Sequence, residues 1–349
     1  MSATMDISVV IATYNRADII PVTLKHLARQ TLASDRFEVI VVNDGSTDAT
    51  DAVIDALREE LPFQLVYLKH ENRGPGYTQN RGIMTASASL ICLIADDILL
   101  VPEALDAFLE SHRQHPEPNA AFLGKVLQAP LLAEKSVFLK NWDPFKFNRL
   151  ENSFELPYYL FWACNISFKK EFMRQYGMFR DEIGRAGAAS HEDAELGYRL
   201  FHHGLKLYYN KGALGHHFHV ETLDGACRRA YQRGKNWRDF RALVDDPCIS
   251  VRYHILNSST LKDHVRSFTR GTAQIGADAN LFSLFAGHVI RFAMFNAVTV
   301  PFFWIPVMRY AERNQFAARC MHTQLYRGAI FYHFLKGVDD GPELPVPGK

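Results

Sequence analysis

Short apolar runs alternate with amphipathic segments along the N-terminal part of the chain. The runs Ile7–Thr13, Phe37–Val42 and Leu65–Leu68 are rich in Val, Ile and Leu, which is typical of strands buried in a sheet. Amphipathic segments follow, such as Asp18–Gln30, whose apolar residues recur at the spacing of one helix face. This alternation predicts an α/β fold, in which a mostly parallel sheet is flanked by helices and joined by right-handed crossovers.

The apolar stretch Leu90–Leu99 predicts a fourth, fully buried strand. Two adjacent carboxylates, Asp96 and Asp97, lie near its carboxyl end. Ligands of open α/β sheets bind beyond the carboxyl ends of the strands. Carboxylates at that edge can hold a hard divalent cation, which in turn holds phosphate oxygens. The other interpretation, equally compatible with this pair alone, is a turn before a helix that begins near Pro102.

Farther along the chain, strands are predicted over Ala120–Leu127 and Trp162–Phe168. The segment between them, residues 129–157, is irregular and aromatic, and it is suited to form a wall of a substrate cleft. A loop of small residues then precedes Glu192 and Asp193, which open a helix. Acidic residues favour a helix N-terminus on electrostatic grounds alone, so their position does not by itself predict catalysis.

The pattern changes after a short strand predicted over Leu205–Tyr209, and from residue 223 onward it indicates helices. Leu281–Met308 is very apolar, but charged residues and prolines interrupt it, whereas a membrane-spanning helix needs about 20 apolar residues with few charges. We therefore expect this stretch to pack as helices or to lie in a membrane interface. On this basis the chain divides into a domain at residues 1–222 and a helical region at residues 223–349.

Charge is distributed unevenly over the 349 residues, although the formal net charge is only +1. Residues 225–349 hold 17 Lys or Arg and 9 Asp or Glu, a balance of +8, which leaves 22 and 29 for the rest, a balance of −7. A basic C-terminal part is typical of proteins that meet an anionic membrane surface or another polyanion, although a solvated basic face explains it as well. No nucleic-acid partner is predicted.

The sequence lacks the motifs of several other classes of protein. The five cysteines are scattered and form no C-x-x-C pair, so neither a disulfide framework nor a zinc site is predicted. No G-x-G-x-x-G follows the first strand, which argues against a nicotinamide or flavin site. Residues 1–6 lead directly into that strand without the features of a signal peptide, so we expect a cytoplasmic protein, either free or peripheral on the inner face of the membrane.

Ordered blocks of residues give the part of the chain from Met5 to His219 a close resemblance to the family 2 glycosyltransferases, which have a GT-A fold. Each block is weak alone, but their common order and spacing are specific. The blocks are Ser8–Arg16, Val41–Asp48, Asn72–Gly82, Ala95–Asp97 and His191–Leu200. The resemblance implies an enzyme that moves a sugar from a nucleotide sugar to an acceptor, usually with inversion at the sugar carbon.

The resemblance also implies the residues of the donor site. Thr13 and Tyr14 would frame the nucleotide base, and Asp44 would accept a hydrogen bond from the base edge, which favours uracil and hence a UDP-sugar. For Asp44 the simple alternative is an Asp-Gly turn. Further donor-binding residues are expected in the glycine-rich block and at the end of the fourth strand, namely Asn72, Gly74, Asn80 and Asp96.

Asp96 and Asp97 fall on the family's D-x-D region, where carboxylates bind the ribose and a Mn²⁺ or Mg²⁺ ion that bridges the diphosphate. Ile94 stands where that motif often has its first Asp, so either Asp96 or Asp97 is a candidate metal ligand. Related enzymes often place a histidine near the metal. This makes His217 and His219 further candidates, with a solvated loop as the alternative.

Glu192 and Asp193 match the family's catalytic acidic pair. Asp193 is expected to be the general base that deprotonates the acceptor hydroxyl, with Glu192 as the second candidate. The acceptor would be a glycan, a glycolipid or another lipid-linked molecule in the assembly of a surface polysaccharide. Because the Q-x-x-R-W signature of processive synthases is absent near Gln232–Trp237, we expect the addition of one sugar per encounter.

Two other functions stay open on the sequence. A sugar-phosphate nucleotidylyltransferase has the same type of sheet, but it usually carries a glycine-rich loop where this chain has Thr13–Arg16. A GT-A-like module that binds a nucleotide sugar without turnover is the second, because Ile94 and Gln79 depart from the family pattern. The intact pair of Glu192 and Asp193 argues against this module. The sequence does not predict the oligomeric state.

Overall fold

The structure is a computed structural model of the chain, and it describes residues 5–142, 144, 145, 147, 150–180, 191–246, 249 and 293–341. The chain divides into two compact units, Met1–Val220 and Glu221–Lys349. The loop of small residues before Glu192 and the first part of Leu281–Met308, for which the sequence makes predictions, lie outside the described residues.

Among the described residues of the N-terminal unit, nine strands form one sheet. The strands are β1 Ile7–Thr13, β2 Phe37–Asn43, β3 Gln64–Lys69, β4 Leu90–Ala95, β5 Ile98–Leu100, β6 Ala120–Gln128, β7 Glu155–Leu156, β8 Asn165–Lys169 and β9 Lys206–His217. Neighbours in the sheet follow the order β3-β2-β1-β4-β8-β6-β9-β5, and β7 pairs with β9 outside that path.

The first four strands are parallel, as the sequence predicts. β1 lies between β2 and β4, with Ile7 opposite Phe37 on one side and Ser8 opposite Ile91 on the other. Every residue of β2 is buried, and β1 and β4 are buried almost throughout, which is the continuous apolar pattern of strands covered on both faces. Because parallel strands end at the same edge, the residues that follow β1, β2 and β4 meet there.

Helices flank this sheet and bury the apolar faces that the sequence predicts. They are α1 Ile20–Leu27, α2 Thr50–Leu57, α3 Pro75–Thr85, α4 Ala104–Gln114, α5 Pro130–Ala133, α6 Val137–Asn141, α7 Lys170–Tyr176 and α8 Glu192–His202. α3 approaches the sheet very closely at Gly82, where a Cβ would lie 2.4 Å from Cγ1 of Val10. A side chain at position 82 would therefore push α3 away from β1.

The stretch Leu90–Leu99 contains two strands rather than one. β4 ends at Ala95, Asp96 and Asp97 form a turn, and β5 then pairs antiparallel with β9. The helix predicted near Pro102 is α4, which begins only after β5. The turn holds both carboxylates at the edge of the sheet, so the two interpretations of this pair, a turn and a ligand site, are compatible in the same structure.

The later strands differ from their predicted bounds. β8 begins at Asn165 rather than at Trp162, and it pairs antiparallel with β4 and β6. β9 is more than twice as long as the predicted Leu205–Tyr209, so His217 lies on a strand and not in a loop. The register of β9 against β6 shifts beyond Asn210, and the polar residues of this irregularity interrupt the apolar pattern that would have revealed the strand. The segment predicted to be irregular contains α5, α6 and β7.

The C-terminal unit is helical in its described residues, as predicted. It contains α9 Leu223–Lys235, α10 Trp237–Leu243, a π-helical turn Val300–Trp304, α11 Ile305–Ala311, α12 Gln315–Arg319 and α13 Thr323–Asp340. α9 and α13 meet at two glycines, since a Cβ on Gly234 would lie 2.0 Å from the carbonyl oxygen of Phe334, and a Cβ on Gly337 would lie 2.0 Å from that of Tyr231. In the described part of the chain, none of the helices has both the length and the apolar character needed to cross a membrane.

Candidate functional site

The loops that follow β1, β2 and β4 meet at one edge of the sheet, which we call the carboxyl edge. Asn15 connects two of them, because its N–H donates to Oγ of Ser46 (2.8 Å) and its Oδ1 accepts from the N–H of Thr47 (2.8 Å). It adopts a left-handed φ of 53°, which Asn tolerates better than most residues. Thr13 connects β1 with β4 through a hydrogen bond from its Oγ1 to Oδ2 of Asp96 (2.8 Å).

Asp44 holds the glycine-rich loop that precedes α3. Its Oδ1 accepts from the N–H of Arg73 (2.7 Å) and its Oδ2 from the N–H of Gly74 (3.0 Å), while Nδ1 of His70 lies 3.5 Å from Oδ1. Gly74 has a φ of 89°, which a residue with a side chain would adopt only under strain. Because each carboxylate oxygen has a second lone pair, Asp44 can position this loop and still accept a hydrogen bond from a ligand.

Asp96 and Asp97 are buried at the carboxyl edge, each with 7% of its surface exposed. Burial, and after it the neighbouring Asp97 carboxylate, raises the pKa of Asp96 well above its ordinary value. Arg16 offsets this in part, since its Nε lies 3.6 Å from Oδ1 of Asp96 and its Nη2 lies 3.7 Å from Oδ2 of Asp97. One guanidinium thus faces two crowded carboxylates, so their charge is only partly balanced.

Two histidines at the end of β9 face the same carboxylate. Nε2 of His217 lies 3.7 Å and Nδ1 of His219 lies 3.6 Å from Oδ2 of Asp97. Nδ1 of His217 lies 3.2 Å from Oε1 of Gln128, and the tautomer in which Nδ1 donates to this oxygen has its Nε2 lone pair on the side of Asp97. Nδ1 of His219 lies 3.2 Å from Nη1 of Arg16, a donor, so this nitrogen is an acceptor as well.

The side chains at this point suit a divalent cation in kind. Two carboxylates and two imidazoles converge there, and the separations of Asp97 from both histidines (3.7 and 3.6 Å) are somewhat longer than the roughly 3–3.5 Å between ligand atoms that share an ion at about 2.1 Å. Within the residues that the structure describes, no group of three or more His, Cys, Asp or Glu side chains is already arranged as a metal site. Arg16 contributes one positive charge beside the two carboxylates.

Asp193 is connected to the same edge through two consecutive residues of the chain. Its Oδ2 accepts from the N–H of Ala163 (3.0 Å), and the next carbonyl, that of Cys164, accepts from the N–H of Ala95 (3.0 Å) at the end of β4. The pKa of the Cys164 thiol is raised by burial and, after it, by the charges of Asp193 and Asp97, one residue from each acidic pair. The structure therefore brings together the two acidic pairs that are distant in sequence.

The two acids that begin α8 differ in their accessibility. Glu192 is buried, whereas Asp193 is partly exposed, so a substrate hydroxyl can approach Asp193 more easily. The preceding residue, His191, has a left-handed φ of 62°, which turns the chain into the helix. One turn later, Glu195 is fully buried and its Oε1 lies 2.7 Å from Nε of Arg199, an ion pair that anchors the helix.

Aromatic side chains connect His217 with the segment that binds Asp193. The ring of Phe145 lies 5.2 Å from that of His217 and 6.1 Å from that of Trp162, and the ring of Phe147 lies 5.6 Å from that of Trp162. Trp162 is partly exposed and directly precedes the residue whose N–H binds Asp193. The aromatic segment that the sequence analysis singles out as a cleft wall therefore contributes side chains beside the carboxyl edge.

The remaining donor residues that the sequence predicts lie nearby, with partners of different kinds. The side-chain amide of Asn80 makes two hydrogen bonds with the backbone of Phe179. Its Nδ2 donates to the carbonyl (2.8 Å), and its Oδ1 accepts from the N–H (3.0 Å). This clamp connects α3 with the segment after α7. Tyr14 is half exposed. The backbone of Asn72 touches the turn after β2, because a Cβ on Gly45 would lie 2.7 Å from its nitrogen.

Sequence reasoning missed several residues that organise the site. Arg16 approaches Asp96, Asp97 and His219, and its position directly after the first strand and its loop is a signal that could have identified it. Gln128 orients His217, but only its place at the end of β6 could have indicated this. No local pattern reveals such a role, because it depends on which strands become neighbours.

Comparisons with known proteins bear on the family and the fold. Residues 8–172 match the model of the family described as Glycosyl transferase family 2. Validoxylamine A glucosyltransferase from Streptomyces hygroscopicus subsp. jinggangensis is 30% identical over 259 residues, which are 64% of this chain and 60% of that protein. Hyaluronan synthase from Pasteurella multocida is 27% identical over 260 residues, which are 66% of this chain and 26% of that protein. The chain thus spans less than two thirds of the length of these relatives.

A solved structure supports the fold. The mannosyltransferase from Pyrobaculum calidifontis, in complex with GDP-Man and Mn²⁺, superposes with a TM-score of 0.57 at 16% identity, over 96% of this chain and 87% of that chain. At this level of identity, the likeness concerns the fold, which is the GT-A fold.

Proposed function

The N-terminal unit of this chain is a family 2 glycosyltransferase domain with the GT-A fold, and on that premise we propose that the chain transfers a sugar from a nucleotide sugar to an acceptor with inversion at the sugar carbon. The observation that carries the proposal is the connection of Asp193, through Ala163 and Cys164, to Ala95, which directly precedes Asp96 and Asp97. This arrangement offers one acidic pair for the diphosphate side of a donor and another for an acceptor hydroxyl.

We assign the nucleoside part of the donor to the loops after β1 and β2. Asp44 retains lone pairs that can accept the ring N–H of a uracil base. Thr13 ends the neighbouring strand β1, and Tyr14 begins the loop that follows it. The loop that Asp44 holds, residues 72–74, would lie against the same nucleotide. These features support a UDP-sugar as donor. A GDP-sugar is the main competitor, because the mannosyltransferase of the same fold was solved with GDP-Man.

The diphosphate would lie at Asp96 and Asp97. Mn²⁺ or Mg²⁺ would be held there by Asp97 with Asp96, His217 and His219 as its further ligands, and when bound it would stabilise the negative charge of the departing nucleoside diphosphate. Arg16 would bring additional positive charge to the same oxygens. The lone pair of His217 Nε2, directed by Gln128, supports this assignment.

Asp193 would accept the proton of the acceptor hydroxyl. In this step the bond between the sugar carbon and the diphosphate oxygen breaks, the acceptor oxygen bonds to the opposite face of that carbon, and the hydroxyl proton passes to Asp193. The N–H of Ala163 holds one carboxylate oxygen at 3.0 Å and so fixes the direction of the other. Glu192 remains the second candidate for the base, although its burial supports a role in support of α8.

The acceptor that these features suit is a glycan. Trp162 and Phe145 present aromatic rings beside His217 and next to the residue that binds Asp193, and an aromatic ring can cover the apolar face of a pyranose. We therefore place surface-polysaccharide or glycolipid glycans ahead of acceptors without sugar rings. Addition of one sugar per encounter is part of the same proposal.

The test is a turnover assay of the full chain with a panel of UDP-sugars and GDP-Man, each with Mn²⁺, Mg²⁺ or a chelator, in the presence of oligosaccharide acceptors. The expected result is that one nucleotide sugar is consumed only with metal, and that NMR of the product shows one added sugar of inverted configuration. Nucleotide binding without consumption of any donor would identify a binding module instead. Release of pyrophosphate from a nucleoside triphosphate and a sugar phosphate would identify a nucleotidylyltransferase.

A further inference from the structure

The C-terminal unit exposes large apolar side chains on consecutive helical turns. Phe302, Pro306 and Tyr310 are spaced four residues apart along the π-helical turn and α11, and Val298 lies one turn earlier, where its carbonyl accepts from the N–H of Phe302 (3.2 Å). All four are exposed, Phe302 by 78% and Val298 by 67%, and so is the adjacent Phe303. We call these five residues the apolar stripe. Contiguous exposed apolar surface of this kind usually marks a binding surface.

A further exposed aromatic lies in α12, between two cations in the sequence. Phe316 is 78% exposed, Arg319 lies three residues after it in the same short helix, and Arg313 lies in the turn that precedes this helix. Both arginines are exposed, and neither has a carboxylate within 4 Å in the described part of the chain. Unpaired cations beside an exposed aromatic ring indicate a partner that is both anionic and apolar.

The stripe and Phe316 are held by a fixed framework within the C-terminal unit. Nη2 of Arg309, near the end of α11, donates to Oδ1 (2.8 Å) and Oδ2 (3.0 Å) of Asp224 at the start of α9. Trp304 packs its ring against Phe295 (5.6 Å between centroids), and its Nε1 donates to the carbonyl of Met294 (2.6 Å). These contacts orient α11 so that the apolar stripe stays on the outside of the unit.

We propose that the apolar stripe together with Phe316 inserts shallowly into an anionic lipid surface, with Arg313 and Arg319 at the level of the headgroups. Interfacial segments combine apolar and aromatic side chains with arginines in this manner. Residues 293–322 contain three arginines and one glutamate, a balance of +2, within a region whose balance is +8. This inference needs no donor or acceptor, and it stands or falls independently of the proposed enzyme activity.

The charge distribution favours a lipid surface over a second copy of the chain. A two-fold contact through this patch would place the same surface of each copy against the other, so Arg313 and Arg319 of both copies would lie in one interface with Glu312 as the nearest acid in sequence. An anionic bilayer instead attracts each such cation by about 1 kcal/mol. A membrane interface also accommodates aromatic side chains at different depths, as Phe302, Phe303 and Phe316 require.

The test is sedimentation of the full chain with vesicles of phosphatidylcholine, with or without about one third phosphatidylglycerol, at low and high salt. We expect pelleting with the anionic vesicles at low salt, partial release at high salt because surface charge is screened, and much weaker pelleting with neutral vesicles. A chain that stays in the supernatant with anionic vesicles at low salt overturns the proposal, and so does equal binding to neutral vesicles.

Two double variants locate the surface. Phe302→Ser with Phe316→Ser should weaken vesicle binding at least about tenfold, and Arg313→Gln with Arg319→Gln should weaken it roughly thirtyfold at low salt. The matched controls are Leu131→Ser, an apolar side chain that is 69% exposed in the N-terminal unit, and Arg58→Gln with Arg174→Gln, and both should bind as the wild type does. Undiminished binding of both test variants would overturn the proposal.

Circular dichroism and light scattering complete the design. If the phenylalanine variant does not fold, the arginine variant decides, because its side chains are exposed and make no ion pair with an acid in the described part of the chain. A concentration-dependent dimer that the phenylalanine variant abolishes, in a chain that binds no vesicles, would identify a second copy as the occupant and overturn the lipid assignment.

Discussion

Glu38 at the amino edge of the sheet and Asp96 at its carboxyl edge are both buried carboxylates, and their pKa values are shifted in opposite directions. For Glu38, burial acts to raise the pKa, but hydrogen bonds to the carboxylate outweigh burial and lower it. Its Oε1 accepts from Oγ of Ser8 (2.6 Å) and from Oγ and N–H of Ser87 (2.6 and 2.7 Å). For Asp96, burial and the neighbouring Asp97 raise the pKa.

The difference separates support of the fold from candidate chemistry. At the amino edge the ionised form of Glu38 has the donors that it needs, so its charge stabilises the folded state. At the carboxyl edge, two carboxylates share one guanidinium. A further cation bound there would therefore stabilise their ionised forms. Buried acids whose ionised form is poorly compensated are concentrated at functional sites. Substitutions at the two edges should therefore change different quantities, stability at one and turnover or ligand binding at the other.

The largest expected effect is on turnover and belongs to the carboxyl edge. Asp193→Asn should lower kcat by roughly 10²–10⁴-fold, the usual contribution of a general base, and leave nucleotide binding and the unfolding midpoint unchanged. The assay is steady-state release of the nucleoside diphosphate with the donor identified by the panel. Normal turnover in Asp193→Asn together with loss of turnover in Glu192→Gln would assign the general base to Glu192. Normal turnover in both variants would show that neither residue is the general base.

At the amino edge the expected effect is on stability. Glu38→Gln should lower the free energy of unfolding by about 2 kcal/mol, because three charge-assisted hydrogen bonds become neutral ones. Nucleotide binding should stay as in the wild type. Urea unfolding of the full chain measures the first quantity, and Glu60→Gln, an exposed acid, is the control without effect. A variant of unchanged stability would show that Glu38 does not support the fold.

His112 is a buried base outside the carboxyl edge, and its expected effect is also on stability. Its Nε2 lies 3.0 Å from Oγ of Ser167, and burial, followed by the charge of Lys169, lowers its pKa to about 3. The unfolded chain takes up a proton below about pH 6.5 and the folded chain does not until about pH 3, so stability falls as the pH drops through this window. At pH 5 the loss should be about 2 kcal/mol. Urea unfolding at pH 7 and pH 5 should show this slope reduced in His112→Gln, and an equal slope would exclude His112 as its source.

The remaining expected effect is the stability change at Asp96. Because folding raises the pKa of this carboxyl, its ionised form at pH 8 costs the folded state free energy, so Asp96→Asn should raise the free energy of unfolding at that pH. The same variant should bind a nucleotide more weakly in the presence of Mn²⁺. A clear loss of stability would mean that Asp96 supports the fold as Glu38 does, and the contrast between the edges would disappear.

The parallel half of the fold follows from the sequence because β1, β2 and β4 are continuous apolar runs with helices between them. The antiparallel half follows less well. β9 contains polar residues where its register against β6 shifts, and β5 is only three residues long, so neither gives a periodic signal. The position of His217 on a strand therefore had to come from the structure.

The candidate site shows a similar division. Asp44 and the pair Asp96 and Asp97 could be predicted, since polar residues that follow parallel strands must meet at one edge. The approach of Arg16 to both carboxylates and the link from Asp193 through Ala163 could not, because they depend on side-chain direction and on the pairing of β8 with β4. Sequence spacing carries no information about such contacts.

Isothermal titration calorimetry of UDP, with and without Mn²⁺, tests whether the carboxyl edge binds the nucleotide through a metal ion. Three proteins are compared: the wild type, the double variant Asp96→Asn with Asp97→Asn, and Glu38→Gln as the matched change at the other edge. We expect Mn²⁺ to tighten UDP binding by about tenfold or more in the wild type and in Glu38→Gln, because a divalent ion joins the phosphates to the carboxylates. We expect this gain to be absent in the double variant. A double variant that keeps the full metal effect, or a wild type that binds neither UDP nor GDP, would contradict this expectation.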